Sequence, residues 1–188
     1  MPRPPLENID PLHIYMNALG FHVSEDILGR LTLGPDMQLA SQVTQPNIVL
    51  SAFTSELFFK CLICIETKLT PQGHHLDDLF EQLNEATKRE IIHLWETKIV
   101  PLRDPQWKVI EADLSKGSKF CRDLPGALEA GRRTFERMRY HYEPASQIGV
   151  FNLGDLPRIL RRVILQKKPE WANLVRDIKK IGEGSSGQ

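Results

Sequence analysis

From Asn47 to Leu69 the chain reads NIVLSAFTSELFFKCLICIETKL, and wound as a helix it keeps almost no polar face. Ile48, Val49, Leu50, Phe53, Leu57, Phe58, Phe59, Leu62, Ile63 and Ile65 point in most directions around the axis. A helix that is apolar nearly all round is buried on nearly all sides, so this segment predicts the central helix of the fold. Glu56 and Lys60 are set inside it, four residues apart and therefore on one face. A charge taken out of water is costly unless it is paired, so these two predict a polar cluster held against the core.

The remaining pattern is helical as well. Pro11–Leu19 and Asp36–Val43 predict shorter helices ahead of the central one, and His75–Leu83 a short helix after the Pro71-Gln72-Gly73 turn. Thr87-Lys-Arg-Glu90 has the form of a capping box opening a helix that carries Ile91, Ile92, Leu94, Trp95 and Ile99. Asp123 and Asp155 each precede a Leu-Pro pair, which suits an N-cap followed by a first helical turn. The helix after Asp123 is expected to reach Glu143, and the one after Asp155 carries Ile159, Leu160, Val163 and Ile164. Beyond Pro169, Trp171, Leu174, Val175, Ile178 and Ile181 repeat at helical spacing. Leu114–Arg122 reads as an irregular loop and Gly182–Gln188 as a flexible tail. Alternating strand patterns are almost absent. The expectation is an all-α bundle of about six or seven helices, with an N-terminal helical arm over 1–45, the bundle over 46–181 and a tail over 182–188.

Composition narrows this picture. With 188 residues the chain can bury a core without staples, and 24 basic against 24 acidic residues demand neither nucleic acid nor membrane. Ser51, Thr54, Ser55, Glu56 and Lys60 interrupt the apolar run, and no second segment could accompany it in a bilayer, so a soluble core helix is expected. Cys61 and Cys64 form C-x-x-C deep inside that helix, without a second ligand pair for zinc and without the helix-start setting of a redox site; buried thiols are expected. An odd cysteine count, Cys121 being the third, points to a reducing, cytoplasmic setting. Phosphate-loop, dinucleotide and nucleophile-elbow motifs are missing, and no metal or cofactor is expected.

A second polar constellation lies in GRRTFERMRYHYE, from Gly131 to Glu143. At helical spacing Leu128, Phe135, Met138 and Tyr142 form the apolar stripe, with Arg139 at its edge and Arg132, Glu136 and Glu143 beside it. A partly buried Arg139 needs an anion, which Glu56, Glu136 or Glu143 could supply. Arg133, Arg137 and His141 form an outward strip suited either to solvent or to a phosphate, with His141 able to exchange protons near neutral pH. Arg158, Arg161, Arg162, Lys167 and Lys168 make the helix after Asp155 basic, either as a solvated face or as part of an RNA-facing surface.

Taken in order, the SELFFK helix, the GHHLDDLF element after a proline turn and the later RMRYHYE helix resemble the HEPN superfamily of all-α domains. There a long helix with a Glu-x-x-x-Lys-like core precedes a turn and a His-x-Leu element, and a later helix carries basic and aromatic residues. The resemblance runs from Pro46 to Leu165. It implies a helical bundle, expected as a homodimer, in prokaryotic defence, toxin–antitoxin or RNA-processing settings, with RNA and a cognate protein as partners. Catalytic members are metal-independent endoribonucleases whose motif is an Arg followed a few residues later by a His. The resemblance carries His141, with Arg137 and Arg139, into the catalytic roles, and Glu56, Lys60, His75, Tyr140 and Glu143 into the supporting cluster. The motif spacing differs here, because three residues separate Arg137 from His141 and seven separate Arg133 from it. Non-catalytic members bind nucleotides, RNA or proteins, and a non-catalytic interaction or nucleotide-binding module is the alternative.

Overall fold

The computed structural model describes residues 6–7, 9–32, 35–113, 120–132 and 152–174, and these are almost wholly helical. The exception is a pair of two-residue strands, β1 (Leu6–Glu7) and β2 (Leu69–Thr70), antiparallel with Leu6 opposite Thr70. The first helix, α1, spans Pro11–Thr32. Asp36 then accepts the Leu39 N–H at 3.0 Å and opens α2, which runs unbroken from Met37 to Thr67. The two helices expected over this stretch are therefore one. Pro46 lacks an N–H for the Gln42 carbonyl, but Gln42 is exposed and water can serve it, so the helix passes through. The 45/46 boundary falls inside α2, and α1 packs along that helix with Tyr15, Ala18 and Leu19 buried, so the first 45 residues help build the core. Lys68 closes α2 in the left-handed conformation (φ 64°), giving its N–H to Cys64 O.

Burial along α2 follows the apolar pattern, with Phe58, Phe59, Cys61, Leu62 and Cys64 fully enclosed. The helix is long and apolar enough to cross a membrane, yet 61% of its most apolar 18-residue window is buried inside the chain, as in a core helix. Both thiols face the N-terminal segment: Cys61 Sγ meets Pro11 O and Cys64 Sγ meets Ile9 O, each at 3.4 Å. Burial, and then the neighbouring Cys64, pushes the Cys61 thiol far up, so it stays protonated.

Helix α3 (Leu76–Glu81) is shorter than expected, although Leu83 beyond it is still buried. Asn84, not Thr87, caps α4 (Glu85–Leu94), accepting the Thr87 N–H at 2.9 Å. Thr87 lies buried inside the helix and donates its hydroxyl to Glu66 Oε1 at 2.6 Å, while Glu66 Oε2 takes the Asn84 N–H at 3.0 Å. Glu66, on α2, thus does from a neighbouring helix what the acid of a capping box does locally. Lys167 reaches the same carboxylate at 3.3 Å.

A π-turn, Trp95–Ile99, joins α4 to α5 (Val100–Asp113), with the Val100 N–H bonded back to Trp95 O. Pro101 follows at once. It has no N–H to give Thr97 O, and a widened turn accommodates its ring. After a described gap, Asp123 caps α6 (Leu124–Gly131) by accepting the Gly126 N–H at 2.8 Å. Helix α7 (Leu156–Lys167) buries Leu156, Ile159, Leu160, Val163 and Ile164 against α2 and α4, and a 3-10 turn, Pro169–Leu174, brings Trp171 to within 5.1 Å of the Tyr15 ring. The helix expected to continue past Gly131 to Glu143, and the repeat beyond Leu174, lie largely outside the described residues.

Trp95 is fully buried, stacks on Trp107 at 6.0 Å and donates its indole N–H to Arg122 O at 2.8 Å. Trp95→Ala is expected to cost about 3–5 kcal/mol in urea denaturation, from lost burial plus an unfilled cavity. A cost below about 1 kcal/mol would mean that the surrounding helices close over the gap.

Candidate functional site

Pro71, Gln72 and Gly73 turn the chain back over α2 after β2. Gly73 stands at φ +101°, a conformation that side-chain-bearing residues rarely adopt, although there is open space for a Cβ. The turn delivers His74 to Glu56. His74 Nδ1 lies 2.9 Å from Glu56 Oε1, and Lys60 Nζ donates to the same oxygen at 2.8 Å. Side-chain exposure rises from 5% at Glu56 to 14% at Lys60 and 75% at His74, so the cluster runs from the interior to the surface. A carboxylate oxygen can only accept, so the proton in the His74 contact sits on Nδ1. In the neutral ring this leaves the Nε2 lone pair free, on an exposed imidazole oriented by a buried carboxylate.

The partners of Glu56 thus include the predicted Lys60, but the histidine is His74 and not His75. His75 is the first residue of the α3 start, makes no side-chain cap, and donates from Nδ1 to Arg132 O at 3.2 Å. Its ring follows the bundle side of the turn, where α3 meets α6. Arg132, predicted only to flank an apolar stripe, grips Asp78 through two N–H groups at 2.9 and 2.7 Å and also holds Asp77. Asp77 and Asp78, favourable charges in the first turn of α3, are therefore also the clamp between α3 and α6. Arg137, Arg139, Tyr140, His141 and Glu143 lie outside the described residues, and with them the expected pairing of Arg139 to Glu56.

A second concentration of charge escaped the sequence. A cleft of about 380 Å³ opens between the second half of α1, Asn47 of α2, Arg103 and Gln106 of α5, and the start of α7. Asp155 was expected to cap α7, but its side chain makes no cap bond; it turns instead to Arg103, accepting from Nε at 2.6 Å and Nη2 at 3.0 Å. This two-pronged contact pushes Arg103 up against the pull of burial. On the facing wall His22 Nδ1 meets Glu25 Oε2 at 3.1 Å, and Asp26 accepts from Arg30 and Arg158, each at 3.0 Å. Burial would raise Asp26, but the hydrogen bonds from Arg30 and Arg158 outweigh it and hold the carboxyl below its ordinary value. Each of these acids already has a basic partner, so the cleft presents little net field to a charged ligand. The only sequence hint was Asp155 itself, read for its backbone role.

Among the described residues no three His, Cys, Asp or Glu side chains gather closely enough to hold a metal ion. No protein-family model, curated protein or solved structure matches the chain.

Glu56→Ala strands Lys60 in a largely buried position. The expected loss is about 3 kcal/mol, the low end of the range for a broken buried pair, because the Lys60 tip retains a path to water. A urea titration showing less than about 1 kcal/mol would mean that the cluster contributes like an ordinary surface pair. Asp26 supplies stability at neutral pH that is lost as pH falls below about 4 and the carboxylate takes up a proton, because its folded pKa is the lower of the two states. Thermal melts of Asp26→Asn are expected to fall less steeply with acidification over that window than those of the wild type, and parallel curves would show that Asp26 carries none of the acid sensitivity.

Proposed function

We propose that the chain is a HEPN-like, RNA-directed helical protein and that the Glu56–His74 couple is part of its working site. One observation carries the reading: a buried carboxylate fixes the Nδ1 side of an exposed imidazole and leaves Nε2 free, with an ammonium on the same oxygen. That is the arrangement general acid–base chemistry requires of a histidine, a set tautomer and an open second nitrogen. The reaction it suits is metal-independent cleavage of RNA, in which the ribose 2′-OH attacks the adjacent phosphorus and the 5′-oxygen leaves. His74 takes or returns a proton in that exchange. His141, with Arg137 and Arg139, keeps the roles the family resemblance gives it: a second proton carrier and two cations for the charge gathered on phosphorus. The prokaryotic defence or toxin–antitoxin setting, the cognate partner and the homodimer come from the same resemblance.

The second reading is a non-catalytic interaction module. Leu102, Pro105 and Val109 are exposed along one side of α5, spaced to share a helix face, and a partner helix could cover them.

The deciding experiment is cleavage of a labelled mixed RNA pool in EDTA by the wild type, His74→Ala and His141→Ala. The reading expects cleavage by the wild type and a loss of about 100-fold or more in each variant. Cleavage unchanged in His74→Ala would remove the Glu56–His74 couple from the site. No cleavage by any of the three at high protein concentration would favour the interaction module.

A further inference from the structure

The basic residues of α7 and the turn after it divide into two sets once their partners are traced. Lys167 is held by Glu66 at 3.3 Å, Lys168 lies 3.8 Å from Glu170 and over the Trp171 ring, and Arg158 is held by Asp26. Arg161 and Arg162 have no carboxylate and no other hydrogen-bond partner among the described residues. They sit beside each other in a groove of about 320 Å³ lined by His22, Arg158, Arg161, Arg162, Leu165 and Gln166. No acid lines that groove. Glu25 and Asp26, in the adjoining cleft that shares His22 and Arg158, are already engaged by His22, Arg30 and Arg158.

Arg161 adds an independent sign. Its Nε–H is buried and has no acceptor. A donor on a cationic group shut away from water without an acceptor is unfavourable, and among the described residues Arg103 and Arg122 avoid it by giving their Nε–H groups to carboxylates. The guanidinium also offers a fork, Nε–H beside a terminal N–H, that fits two oxygens of one tetrahedral oxyanion.

We infer that this groove on α7 is a phosphate-binding site, in which the guanidinium of Arg161 turns to place its fork on two phosphate oxygens and Arg162 neutralises the remaining charge. Arg158, already anchored to α1 through Asp26, and the apolar Leu165 also line the groove. The phosphate belongs either to a small phosphorylated compound or to the backbone of RNA; the recognition chemistry is the same. Glu56 and His74 line neither this groove nor the adjoining cleft, and the site does not depend on RNA cleavage.

The test uses the full chain with two probes: pyrophosphate by isothermal titration, and a fluorescein-labelled oligoribonucleotide by anisotropy at two salt concentrations. The wild type is expected to bind at least one probe saturably. Arg161→Ala with Arg162→Ala should weaken that binding about ten-fold or more, while Lys108→Ala, which removes a positive charge from α5, should not. Ligand-free melts of the double variant should match the wild type, since neither side chain has a hydrogen-bond or ion-pair partner among the described residues. Should it melt early, Arg161→Lys preserves the charge without the fork, and it too should bind more weakly. Binding of RNA alone, with a shallower salt slope in the double variant, assigns the phosphates to a polymer. Binding of pyrophosphate alone assigns them to a small compound. Wild-type protein that binds neither probe, or a double variant that binds both as tightly as the wild type, overturns the proposal. RNA cleavage that fails while Arg161-dependent pyrophosphate binding persists would sink the nuclease reading and leave this one standing.

Discussion

A carboxylate buried in the middle of the longest and most apolar helix constrains everything around it. Glu56 cannot remain charged in that position without donors, and α2 alone supplies only one, Lys60, a turn away. The second donor has to come from elsewhere in the chain, and it comes from the β2–α3 turn, whose glycine takes a conformation few other residues could hold. Once His74 is drawn to Glu56, the start of α3 is placed, its two aspartates meet Arg132, and α6 is docked in turn. A single interior charge thereby stands at the inner end of a chain of polar contacts that runs from α2 through the turn to α3 and α6.

Much of this was legible because it follows from periodicity. The burial of Phe58, Phe59 and Leu62, the pairing of Glu56 with Lys60, the buried thiols of Cys61 and Cys64, and the apolar face of α7 are consequences of which residues share a helical face. What was hidden depended on contacts between residues far apart in sequence. Asn84 displaced Thr87 as a cap because Glu66, eighteen residues earlier, was there to serve the Asn84 N–H. Asp155 left its expected capping role because Arg103 offered two donors in place of backbone N–H groups. His74 and His75 were indistinguishable by composition, and only the direction of the turn decides which one faces α2. Continuity through Pro46 was missed for a different reason: the pattern was divided between Val43 and Asn47, whereas on an exposed helix side the proline between them removes a single bond that water can replace.

Ion pairs in this chain mostly join elements rather than decorate them. Arg103 with Asp155 fastens α5 to α7, Arg158 with Asp26 fastens α7 to α1, Lys167 with Glu66 fastens α7 to α2, and Arg122 bridges Glu111 and Asp104 below the tryptophan pair. Among the described residues most lysines and arginines are held in such pairs. Against a uniformly basic protein two unpaired arginines would mean nothing; in this one they stand out because nearly every other charge near them has been assigned a task.

The π-turn at Trp95–Ile99 has an architectural effect beyond relieving Pro101. One extra residue within a helix rotates everything after it by about 100° around the axis. The rod from Glu85 to Asp113 therefore has two azimuths, one for each half. Ile91 and Leu94 before the offset and Trp107 after it are all buried in one core, without a loop between them. A straight helix would have had to choose a single side. The offset lets one continuous piece of chain hold both halves of its length against the same core, with Trp95 and Trp107 stacked across the joint.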